Sequence, residues 1–185
     1  MRMHDQPLAR HEAARRVDPN VENVPWVSEG ILSGVVGAAT IALFFFALDL
    51  VEGRPFWTPN ALGAFFFRGR LPVPGHAIEP ALVAGYTLLH GAVFAAFGVV
   101  AAFELLSGTR LPGSRLVWRG LVLAGLLFVG FQLVFVGFDA FAARGALAFF
   151  GFPRVSLANA LAALAMAGVL VTRARGRGLR PEGEA

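Results

Sequence analysis

Residues 30–51 read GILSGVVGAATIALFFFALDLV, and no ionisable side chain interrupts the run before Asp49. A hydrocarbon core ~30 Å thick needs about 20 helical residues at 1.5 Å each, so this stretch is long enough to cross a bilayer. Three further stretches have the same character: Pro80–Phe103, Gly120–Phe138 and Val155–Thr172. Lipid offers the backbone no hydrogen bonds, so each such segment must satisfy its own as a helix. The reading is an all-α membrane protein of four transmembrane helices in an antiparallel bundle.

The rest of the chain leaves little room for anything else. Of 185 residues, 56% are hydrophobic and 15% charged, with mean hydropathy +0.64, which is too apolar for a water-soluble domain of this size. Cysteine is absent, which removes disulfides, thiolate metal sites, iron–sulfur clusters and cysteine nucleophiles together. All 16 basic residues are arginine, a bias that coding-sequence base composition explains. The sequence pI of about 11.2 resembles a nucleic-acid signal, but the arginines sit at segment ends, where membrane orientation accounts for them, and no nucleic-acid partner is expected.

Arginine placement also gives a direction. Eleven arginines fall in the N-terminal tail, the loop after the second span and the C-terminal tail, against five in the other two loops. Short arginine-rich loops stay in the cytoplasm, so both termini are expected there, in a bacterial inner membrane. Residues 1–28 form a polar tail, expected to be largely disordered, and residues 174–185 a basic tail after the transmembrane domain of residues 29–173. The first span follows that polar tail at full length, which reads as a retained helix rather than a signal peptide.

The first outer loop, Glu52–Glu79, is the longest. Thr58-Pro59 is a helix-start signal, a hydroxyl cap followed by proline. It predicts a short interfacial helix over Asn60–Phe67, with Trp57 and Phe65–Phe67 as anchors. Asp49, Glu52, Glu79 and Asp139 are expected at the outer surface and Glu104 at the inner one, leaving no charge in the core. That argues against a proton relay. A catalytic triad and a phosphate-binding glycine loop have no counterpart in the sequence.

Uncharged polar residues within the spans are the remaining candidates. Tyr86 and His90 lie one turn apart on the second span and share a face. At 1.5 Å per residue, His90, Gln132 and Asn159 fall about 3, 5 and 7 Å outward of the midplane, so Tyr86, His90, Gln132 and Asn159 are expected to form a polar cluster. Interhelical hydrogen bonding and a small ligand pocket both account for it. A six-coordinate haem lacks a second histidine in any span; a tetrapyrrole held by His90 alone needs only one ligand, and no cofactor is predicted. Phe128, Phe131, Phe135 and Phe138 line one helix face, which suits lipid or partner packing and would also flank a quinone, pigment or lipid tail. Gly30, Gly34 and Gly37 supply a small-residue face for close helix packing.

The block Asp49-x-x-Glu52-Gly53-Arg54-Pro55-Phe56-Trp57-Thr58-Pro59, followed by Tyr86-Thr87-x-x-His90 and by an Asn159-bearing helix that ends in arginines, resembles a group of small bacterial four-helix membrane proteins with a GRPFxTP block after the first span. The resemblance covers about Gly30–Arg173. It implies a shared four-span fold and carries over no catalytic role. The function expected from these residues is non-enzymatic: an accessory or scaffold subunit packed against lipids, other membrane subunits or itself. The alternative is a binding or transport module with a pocket in its outer half. A third reading, a lipid-processing enzyme built on Asp49, Glu52, Arg54 and His76, rests on residues scattered along the chain.

Overall fold

The structure is a computed structural model that describes residues 25–70, 77–106, 113–141 and 146–178. Among these residues the chain forms six helices: α1 (Pro25–Val51), α2 (Trp57–Arg68), α3 (Pro80–Leu106), α4 (Gly113–Phe141), α5 (Ala146–Phe150) and α6 (Phe152–Gly178). Four of them, α1, α3, α4 and α6, are long and apolar enough to cross a membrane, so the chain is a multi-pass membrane protein. The helices overrun the apolar stretches read from sequence. α1 begins at Pro25, α4 at Gly113, and α6 extends into the arginine-rich tail. Helical hydrogen bonding continues past the hydrocarbon boundary, and prolines set the starts of α1 and α3, where a missing N–H costs nothing.

The tightest seam joins α1 to α3. The Gly30-x-x-x-Gly34 pattern on α1 meets Gly98 on α3. A methyl group on Gly34 would lie 2.6 Å from the Ala95 Cα, and one on Gly98 would lie 2.7 Å from the Gly34 nitrogen. No side chain fits between these backbones, which is how glycine brings helices together in lipid. Gly37 faces α6 as well: its missing side chain leaves room for Met166 and for the ring of Phe94.

α6 is the second partner of α1. The buried Ser33 hydroxyl donates to the Met166 carbonyl at 3.1 Å, and Arg173 meets Glu29 at 3.3 Å. The start of α1 and the end of α6 therefore share one end of the bundle. α4 packs mainly on α6 and touches α3 only loosely; among the described residues the α4 and α1 backbones do not come close to each other. Large apolar side chains such as Leu43, Leu88, Leu126 and Leu133 point outward, as a lipid-facing surface requires.

α2 is the short helix expected after the first span, lying across one end of the bundle. Two of its expected anchors are corrected: Trp57 and Phe65 are buried, and Phe66 and Phe67 remain exposed. The helix docks into the end of the bundle, against Phe150 of α5 and Val155 of α6. Gly63 rests against the backbone of Leu82, which sets the close α2–α3 approach. Gly69 ends the helix at φ 64°, where its N–H reaches the Phe65 carbonyl at 3.0 Å.

Candidate functional site

The end of the bundle that carries α2 is organised by one carboxylate. Asp49 sits near the end of α1 and is only 2% exposed, whereas the sequence placed it at the outer surface. Its Oδ2 accepts the Thr58 N–H at 2.8 Å and its Oδ1 accepts the Thr58 hydroxyl at 2.7 Å. The expected hydroxyl cap is thus corrected. Thr58 lies inside the first turn of α2, and the cap comes from a side chain on α1. Residue 56, which precedes the helix, adopts φ 63° and makes no side-chain cap bond. A carboxylate at a helix N-terminus meets both unpaired N–H groups and the positive end of the helix dipole.

Two further ties hold α2 down. Asn60 is 1% exposed and its Oδ1 accepts the Glu79 N–H at 2.8 Å; its Nδ2 has no partner among the described residues. Arg68 forms a two-pronged pair with Glu79, at 2.7 and 2.6 Å. At the rim, Glu52 takes hydrogen bonds from Arg54 and from Arg154, the latter at 2.9 Å. These arginines hold its carboxyl below the ordinary carboxylate range, Arg54 contributing most. The Arg54 guanidinium also lies over the Trp57 ring, 5.3 Å from its centre. Pro55 occupies the exposed turn between α1 and α2. His76 lies outside the described residues.

Because the backbones of α1 and α4 stay apart, a gap remains between them, and α2 closes its end. The result is a cavity of about 530 Å³ in the half of the bundle that α2 covers. Its walls are mainly aromatic, with Phe45 and Phe46 from α1, Phe94 and Phe97 from α3, and Phe131, Phe135 and Phe138 from α4. The phenylalanine face of α4, which suited lipid or partner packing and also the flank of a bound apolar molecule, is turned toward the cavity. Phe131 is buried, Phe135 and Phe138 line the cavity, and Phe128 packs on the core.

Rings form a continuous ladder along one side. Phe138 stacks on Phe66 at 4.0 Å, and Phe66 reaches Tyr86 at 6.2 Å. Tyr86 stacks on His90 at 5.6 Å, and His90 contacts Phe94 at 4.6 Å. Such offset arrangements add modestly to the apolar burial of each ring.

The four polar residues singled out from the spans separate into two groups. Asn159 donates from Nδ2 to the Gln132 Oε1 at 2.6 Å, and Gln132 donates from Nε2 to the Ser156 hydroxyl at 2.8 Å. This relay joins α4 to α6, and Ser156 is a member that sequence depth alone did not suggest. His90 belongs elsewhere: its Nε2 lies 3.3 Å from the Ala38 carbonyl on α1. A carbonyl can only accept, so Nε2 carries the proton and Nδ1 is left as an acceptor. Tyr86, His90 and Asn159 all line the cavity. Among the described residues no group of three His, Asp or Glu side chains is placed to hold a metal ion.

No family model, curated protein or solved structure matches this chain.

Proposed function

We propose that this chain is a binding module of the bacterial cytoplasmic membrane, with both termini in the cytoplasm, that holds an apolar molecule in the outer half of its bundle. The observation that carries the reading is the aromatic cavity of about 530 Å³ between α1, α3 and α4. Its volume lies within the range of small-molecule sites, about 300–1,000 Å³, and its lining has the composition of such sites, apolar walls with a few polar groups. Val93 and Val134 line it from either side of the loose α3–α4 seam and are themselves exposed, which supports sideways entry from the lipid. The shared end of α1 and α6, together with the arginine distribution, supports the orientation.

An accessory or scaffold role rests on the outward apolar surface, and lipid alone accounts for that surface. The cavity favours binding over it. The test is extraction of the purified protein with organic solvent, followed by mass spectrometry of what it carried. A molecule enriched over bulk lipid with the native chain is expected to be lost with Ala42→Trp, which fills the cavity, and with His90→Ala. Both variants should still insert and elute as the native protein does. Identical lipid profiles for all three proteins would overturn the reading.

A further inference from the structure

We infer that the bound molecule is an uncharged apolar alcohol, its hydroxyl group read by Tyr86 and His90. This deepens the binding reading above and depends on it. The argument is a count of protons. The Thr58 hydroxyl is given to Asp49 and the Thr87 hydroxyl to the Val83 carbonyl, while the His90 Nε2 proton goes to Ala38. All three side chains line the cavity, and each faces it with acceptor capacity alone. Asn159 has given one amide proton to Gln132 and keeps a second, so it remains a donor. Tyr86 is the one hydroxyl in the lining that no internal hydrogen bond engages among the described residues.

The lining offers donors at Tyr86 and Asn159 and acceptors at His90, Thr58 and Thr87, which suits a head group that both donates and accepts. A hydroxyl does both, accepting from Tyr86. An ether, an ester or the carbonyl of an oxidised quinone can only accept and would leave the His90 Nδ1 unmet, a cost felt among apolar walls. Charge is disfavoured on separate grounds. Among the described residues no arginine and no carboxylate lines the cavity, so a phosphate or an ammonium would find no counter-ion among them.

Three probes with one tail and different heads decide the matter: farnesol, farnesyl methyl ether and farnesyl phosphate. Binding to the purified full-length protein is read by quenching of tryptophan emission and by competition with the extracted native occupant. Farnesol is expected to bind about tenfold more tightly than either the ether or the phosphate. Tyr86→Phe and His90→Phe should erase that preference while retaining ether binding, since both keep the aromatic wall. If the three probes bind equally well and Ala42→Trp blocks them all, the cavity is a binding site and the hydroxyl assignment is wrong. If the phosphate binds best, the assignment is likewise wrong. If no probe binds and no occupant is extracted, both readings fall.

Discussion

Asp49 and Thr58, nine residues apart, are joined twice: one carboxylate receives both the backbone and the side-chain proton of Thr58. The bond pair turns the end of a membrane span into the anchor of the helix that covers the cavity. Hydrogen bonds to charged groups contribute about 1.5–3 kcal/mol each, and a buried partner left unmet costs a similar amount. Asp49→Ala is therefore expected to lower stability by roughly 2–4 kcal/mol and to expose α2 to protease. Thr58→Ser should behave as the native chain and Thr58→Val should fall between. Thermal unfolding in mild detergent, with limited proteolysis, checks the series.

Glycine at the α1–α3 seam is there for space. Gly98→Ala would drive a methyl group to 2.7 Å from the Gly34 nitrogen, against backbone that cannot step aside. A loss of about 1–3 kcal/mol is expected. Gly91→Ala on the same helix meets no atom within 4 Å and should be neutral or slightly stabilising, because alanine favours helix. Unfolding in graded SDS compares the two.

The Gln132–Asn159 bond lies inside the membrane, where such bonds average ~0.6 kcal/mol with a maximum near 1.7. A double-mutant cycle with Gln132→Leu and Asn159→Leu should return a coupling energy in that range. A value near zero would mean that the two amides do not meet.

Glu52 gives a pH signature. Arg54 and then Arg154 hold its carboxyl below its ordinary value of 4.5. A carboxyl depressed by folding adds stability above its unfolded value and loses it as pH falls through its folded one. The stability gap between the native chain and Glu52→Gln should therefore be widest near neutral pH and close progressively below pH 4.5. The rim is solvent-exposed, so the gap should stay under about 1 kcal/mol and shrink in high salt.

The sequence revealed what depends on solvent and period. Four apolar stretches, the Gly30–Gly34 face and the short helix after the first span were readable because each is a local pattern. Gln132 and Asn159 could be paired because depth along a helix follows from residue count. What escaped depends on rotation and on backbone partners. His90 lies at a similar depth to Gln132, yet it turns toward the Ala38 carbonyl, and no side-chain list can announce a carbonyl. The α4 phenylalanines have one spacing whether they face lipid or cavity. Asp49 looked like a surface carboxylate because its partner, Thr58, looked like a cap in its own right.

The contact between α4 and α6 bears on how the molecule is made. With its backbone apart from α1 and only a slight hold on α3, α4 depends on a helix that the ribosome has yet to deliver. α1 and α3 can pair as a hairpin early, but α4 must wait in the bilayer until α6 emerges and wedges itself between them. The last span is thus the keystone of assembly, and a chain cut short before Phe152 would keep its first pair while its third span drifted free.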